Sequence, residues 1–244
     1  MRTSQIYGFM AAMKLAVVVL TLVPALAAAD PADLTLHSRV GWGSTVAPDR
    51  ISLSSEGGWN GGEARAEVRA DVEATLIDRA SVFISTSYEA RARPSVGGAY
   101  QILDPRRYAV GLRASVVYKP EGFTEPEGEV EGAFVVSHAF GPHTARAMIV
   151  FGTDPEGNES DVEAGGSYLH AITDHALVGA TARYRKAIAV KAGGDEPAWD
   201  VLGGAVAGYV PGKWRVEMLV GGNAVKHMVT QSGVVGLVSI GADL

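Results

Sequence analysis

Polar and apolar residues alternate with a period of two along most of this chain, most cleanly from Glu63 to Leu76. Every even position there is apolar (Ala64, Ala66, Val68, Ala70, Val72, Ala74, Leu76), and every odd one from Glu63 to Glu73 is charged (Glu63, Arg65, Glu67, Arg69, Asp71, Glu73). Successive side chains of a strand point to opposite faces, so this segment makes one oily and one charged face. Wound as a helix, it would spread charge all round and leave no apolar stripe. The segment is also about twice the common strand length of globular proteins.

A long two-faced strand needs apolar surroundings on one side and water or ion pairs on the other, which a transmembrane β-barrel provides. The rest of the chain repeats the pattern. Gly, Pro, Asp and Asn divide it into twelve strands, read as roughly 34–43, 50–57, 63–77, 81–93, 107–119, 127–139, 143–153, 161–172, 176–187, 199–210, 213–224 and 233–244. The stretch 93–106 reads as a long link, which breaks the regularity of the first half, so ten strands is the alternative count. For Leu76 and Val82 to share a face, the connection between them must hold an odd number of residues, as Asp78-Arg79-Ala80 would. In the second half short links (Gly141-Pro142, Thr173-Asp174, Pro211-Gly212) alternate with longer ones (154–160, 188–198, 225–232). That is the alternation of periplasmic turns with outward loops, the short turns being periplasmic if the chain ends on that side.

Aromatic spacing adds a second signal. Tyr108 and Tyr118 bracket Val110, Leu112, Ala114 and Val116, and Trp199 and Tyr209 bracket Val201, Gly203, Ala205 and Ala207. Ten strand residues span roughly 33 Å, which at a tilt of about 40° projects to about 25 Å, the height of a lipid-facing band between aromatic girdles. These four aromatics are therefore the expected lipid-interface residues. The architecture resembles that of bacterial outer-membrane β-barrels of porin-like type, and no more specific family. The last strand, Gly233 to Leu244, resembles the C-terminal strand such barrels present to their assembly machinery. It departs from that class by ending on Leu244, where an aromatic is usual.

The first residues fit an export signal. Arg2 and Lys14 precede an apolar core from Leu15 to Leu26, and Ala27-Ala28-Ala29 offers a cleavage site before Asp30. The expected organisation is a signal peptide over 1–29 and a single barrel domain over 30–244. The whole chain holds 21 Lys+Arg and 27 Asp+Glu, net −6, and removal of Arg2 and Lys14 leaves 19 and 27. A mildly acidic chain without a basic block argues against nucleic acid as a partner. It has no cysteine, which removes disulfides and a thioether lipid anchor. No apolar run after residue 30 reaches the length of a spanning helix.

The charged face supplies the candidate site residues. Glu63, Arg65, Glu67, Arg69, Asp71 and Glu73 would line the lumen with Arg91, Arg113, Glu127, Glu129 and Glu131. They would set ion selectivity or, paired with one another and with Arg93, simply fill a narrow interior. No catalytic residues, metal ligands or cofactor are expected. Ser137 and His138 are adjacent and so point to opposite faces, and no nucleophile elbow, phosphate loop or zinc signature occurs. His170 and His175 flank the Thr173-Asp174 turn and would be the histidines able to meet across a hairpin. The expected function is a small outer-membrane pore or channel-like barrel with a charged lumen. The alternatives are a closed barrel with a structural or surface-recognition role, and a soluble periplasmic or secreted β protein. Expected partners are outer-membrane lipid, the barrel assembly machinery, and small solutes or ions. Oligomeric state, permeant and ligand are not legible.

Overall fold

A computed structural model describes residues 48, 51–62, 65–88, 92–120, 128–154, 159–189 and 198–244. They form twelve strands: β1 (Ile51–Asn60), β2 (Arg65–Ile77), β3 (Ala80–Tyr88), β4 (Ala92–Leu103), β5 (Val110–Pro120), β6 (Gly128–Phe140), β7 (His143–Asp154), β8 (Glu159–Thr173), β9 (Ala176–Ala189), β10 (Trp199–Tyr209), β11 (Trp214–Lys226) and β12 (Thr230–Asp243). Each strand pairs antiparallel with its sequence neighbours, and β1 pairs with β12, so the sheet closes into an up-and-down barrel with no free edge. Closure gives every strand a partner on both sides, the condition for a sheet that stands in hydrocarbon.

Twelve strands form, but they are not the twelve read from the sequence. The stretch 34–43 lies outside the described residues, and the ladder closes without it because β1 already has β2 and β12 as partners. Its place in the count is taken by β4, which occupies most of the stretch read as a link. Pro94, Gly97 and Gly98 gave β4 the look of a loop. In the barrel, Pro94 sits third in the strand. Gly97 lies directly opposite Phe83 of β3, whose ring fills the space a side chain at 97 would need. With β4 in place the first half is regular. The connections at 78–79, 104–109, 141–142, 174–175 and 210–213 share one end of the barrel, and the two longest, 121–127 and 190–198, lie at the other. The shared face of Leu76 and Val82 is achieved by a bulge: the ladder shifts register between Thr75 and Ile77, and the turn itself is Asp78-Arg79, with Arg79 at φ 69°. Both Leu76 and Val82 are exposed.

Alternation sorts the side chains. On β2, Val68, Val72 and Leu76 face outward and are exposed, as are Ile84 on β3, Phe134 on β6, Ile149 and Phe151 on β7, and Ile240 on β12. The opposite faces hold buried polar groups: Ser52 and Glu56, Ser81 and Ser85, Gln101, Arg113, Ser137, Arg146, Asp161, Asp200, Arg215, Glu217 and Ser239. A water-soluble β protein shows the reverse arrangement. Exposed aromatics mark both ends of the outer wall. Trp59, Tyr88 and Tyr184 lie toward the long-loop end, and Tyr108, Phe140, Tyr168 and Trp214 toward the short-turn end.

Candidate functional site

The interior has two unlike regions. The β8–β12 wall carries an apolar cluster of Leu169, Leu177, Leu202, Val206, Leu219, Val235 and Leu237, which runs from Leu177 beside the short turns to Leu202 opposite Arg183. Leu219 is 0% and Val235 1% exposed, so no water reaches this wall. Beside it, Arg146 of β7 and Glu217 of β11, both buried, interact electrostatically across the interior. On the other side of the barrel at this level, Glu73 of β2 and Arg113 of β5 form an ion pair, and Ser81 of β3 bridges them. Its hydroxyl donates to Glu73 at 2.5 Å and accepts from Arg113 Nη2 at 2.8 Å. This pair reaches over two intervening strands rather than joining neighbours.

Toward the long loops the interior is a network of carboxylates and cations. Arg183 Nη1 meets Glu163 at 3.3 Å and its Nη2 meets Asp200 at 2.7 Å, tying β8, β9 and β10 together. Arg185 pairs with Asp161, and Lys119 with Glu131. Glu129 and Asp161 converge over Gly152, where a β-carbon would collide with both carboxylates. Arg69 pairs with Asp71 on its own strand at 2.7 Å. These groups keep contact with water: the side chains of Arg69, Lys119 and Arg185 are 35%, 37% and 27% exposed. Glu63, Arg91 and Glu127 lie outside the described residues, as do the side chains of Arg65 and Glu67. Arg183, Arg185, Asp161, Glu163 and Asp200 were not singled out in the sequence. The alternation Asp161/Glu163 and Arg183/Arg185 was legible as two short same-face pairs, but only the register of β8 against β9, with Glu163 opposite Arg185, brings them within reach as diagonal ion pairs.

The four aromatics read as interface residues fall at strand ends. Trp199 and Tyr209 bound β10, Tyr118 lies near the end of β5, and Tyr108 sits in the β4–β5 turn, half exposed. Each pair thus places one ring toward each end of the barrel. The histidines do not meet as the turn suggested. His175 Nδ1 lies 3.1 Å from the Val210 carbonyl, whereas His170 faces His143 on β7. Ser137 is buried on the inner face and His138 exposed on the outer one, which removes that pair from hydrolytic chemistry. Among the described residues no group of three or more His, Asp or Glu side chains is arranged to hold a metal.

At the short-turn rim, the β4–β5 turn is held together by Asp104. Asp104 accepts from Arg106 through the backbone amide and Nε at 3.0 Å each and through Nη2 at 3.1 Å, while Arg107 and Tyr108 amides donate to its carbonyl. Partial burial pushes the Asp104 carboxyl up, but the Arg106 hydrogen bonds and the charges of Arg106 and Arg107 outweigh it and hold the carboxyl below its usual range. A lowered folded value means the contribution to order is present above the unfolded value of about 3.9 and lost as pH falls through the folded one. Amide protection at Arg107 and Tyr108 is therefore expected to be higher at pH 6 than at pH 2.5. In Asp104→Asn the difference should vanish, as hydrogen exchange corrected for intrinsic rates would show.

No protein-family model matches the chain, and no curated protein matches it in sequence. Solved structures match it in shape. The KdgM porin aligns over 79% of this chain and 99% of its own at 8% identity, with a TM-score of 0.59. The NanC porin aligns over 79% and 98% at 11% identity, with a TM-score of 0.57. A KdgM porin in complex with disordered oligogalacturonate gives 7% identity and a TM-score of 0.57. At these identities the likeness is one of fold: a closed twelve-stranded antiparallel transmembrane β-barrel of porin-like architecture.

Proposed function

We propose that the protein is an outer-membrane channel-like barrel of a Gram-negative envelope, exported by its N-terminal signal and passing small ions through a narrow interior whose charges set selectivity. The observation that carries this reading is the network of acidic and basic side chains at the long-loop end, partly open to water through Arg69, Lys119 and Arg185 and enclosed by a wall with an apolar exterior. Among the described residues, that network holds six carboxylates (Asp71, Glu129, Glu131, Asp161, Glu163 and Asp200) and four cations, Arg69, Lys119, Arg183 and Arg185. Surplus carboxylate at a mouth attracts cations. The protein refolded into planar bilayers is expected to give conductance steps with a cation-selective reversal potential, and Glu129→Lys should shift that potential toward anions.

A second reading has its own observation. The apolar β8–β12 wall and the Arg146–Glu217 interaction fill part of the interior, which suits a packed barrel with a structural or surface-recognition role. Conductance no higher than that of protein-free bilayers would support it and end the channel reading. Neither reading calls for catalysis.

A further inference from the structure

The outer wall at the short-turn end carries a cluster that neither reading of the interior uses. His138 and Phe140 of β6, His143 of β7, and Tyr168 and His170 of β8 form a continuous row of rings, with neighbouring centroids 4.7 to 6.3 Å apart. All five face outward by strand alternation. His143 follows the exposed turn Gly141-Pro142, so the row stands beside solvent rather than at the middle of the wall.

Within this row two imidazoles converge. His143 and His170 are directly opposed partners in the β7–β8 ladder. Their rings lie with centroids 4.7 Å apart, and their Nδ1 atoms are 3.3 Å apart. The phenol oxygen of Tyr168 is 2.8 Å from the same His143 nitrogen. An aromatic belt at a membrane interface needs amphipathic rings, but it does not need two ring nitrogens aimed at each other. Metal–nitrogen bonds of 2.0–2.1 Å place adjacent nitrogens about 3.3 Å apart around a tetrahedral ion and about 2.9 Å apart around a tetragonal one such as copper(II), which a small ring rotation reaches. The His143 and His170 nitrogens therefore already stand at the spacing of two ligands on one ion. The ladder fixes their separation, so little side-chain freedom would be lost on binding.

We propose that His143 and His170 form a surface site for a late divalent transition-metal ion, with Tyr168 supplying an adjacent oxygen donor. Two imidazoles suit copper, nickel and zinc rather than calcium or magnesium, and copper(II) binds most tightly to a given nitrogen set. With two nitrogen ligands from the protein, water completes the coordination, so the site is exchangeable and contributes nothing to closure of the barrel. In its ion-free form one ring donates a hydrogen bond to the other.

The test uses the untagged barrel folded in detergent micelles and titrated with copper(II) alone, followed by calorimetry and electron paramagnetic resonance. One equivalent should bind with micromolar affinity and a two-nitrogen signature. His143→Gln and His170→Gln should each weaken binding at least about tenfold, because each removes one of two ligands. His138→Gln and His175→Gln should leave it unchanged, which separates this pair from general histidine affinity. Heat-modifiable migration of every variant checks that the barrel is folded. Absence of binding below about 1 mM, or binding unmoved by His143→Gln and His170→Gln, would overturn the proposal.

Discussion

Ile149→Arg is expected to destabilise the barrel by about 2–4 kcal/mol in a phospholipid bilayer, the cost of an arginine on the lipid face near the midplane. Ile149 lies at the middle of β7, flanked across the ladder by Phe134 and Ala164, and is 53% exposed on the outer wall. For an ordinary exposed position of a soluble protein, the same change would stay within about 0.5 kcal/mol. Depth supplies the control. Ile188 is equally outward and 61% exposed, but it is the penultimate residue of β9. Arginine there should cost about 0–1 kcal/mol, because near the interface its head reaches water and phosphate. Reversible denaturant unfolding from lipid vesicles measures both. A large difference between the two sites is the mark of hydrocarbon around the wall; equal small costs would remove the membrane from the account.

That the outer wall could be anticipated at all follows from the strictness of alternation. A barrel in lipid is sorted by a single rule with period two, and β2 obeys it without exception from Val68 to Leu76. Where the rule is broken, the sequence misled. Pro94, Gly97 and Gly98 carry the usual marks of a loop, yet β4 runs through them because Phe83 occupies the volume that Gly97 lacks. Glycine in this setting is a complement to a neighbour's ring, and that neighbour is identified by register, which a single sequence does not state. The interior was legible to the same degree. Charged positions on β2 and β6 announce an inner face, but Glu73 finds Arg113 three strands away, and Asp161 finds Arg185 through the β8–β9 register. The apolar wall of Leu169, Leu177, Leu202, Leu219 and Leu237 was hidden altogether. Its leucines occupy the polar phase of their strands, where they look like irregularities until the barrel brings five strands' worth of them together.

The seam where the chain ends meet depends on one such hidden contact. Arg215 of β11 is 3% exposed and reaches past β12. Its Nη1 donates to Asp243 at 2.9 Å, and its Nη2 donates to the Ser52 hydroxyl at 2.7 Å and the Leu53 carbonyl at 3.2 Å, both on β1. Gly241 lies beneath the guanidinium, where a β-carbon would stand 2.6–2.7 Å from it. One planar fork thereby ties the last two strands to the first. Arg215→Ala is expected to cost about 2–3 kcal/mol, below the 3–5 typical of breaking a fully buried pair, because Asp243 is 47% exposed and falls back on water. The loss should fall on closure, since Ser52 and Leu53 belong to the β1–β12 pairing while β2–β11 remain laddered without it. Arg215→Lys retains the charge but has a single nitrogen where three acceptors lie, so it should recover less than half of the stability. Unfolding midpoints in micelles, together with amide protection along β1 and β12, separate these outcomes. If lysine restores full stability, the charge alone suffices and the fork geometry is irrelevant. If alanine leaves both midpoint and protection unchanged, backbone pairing holds the seam without help from the interior.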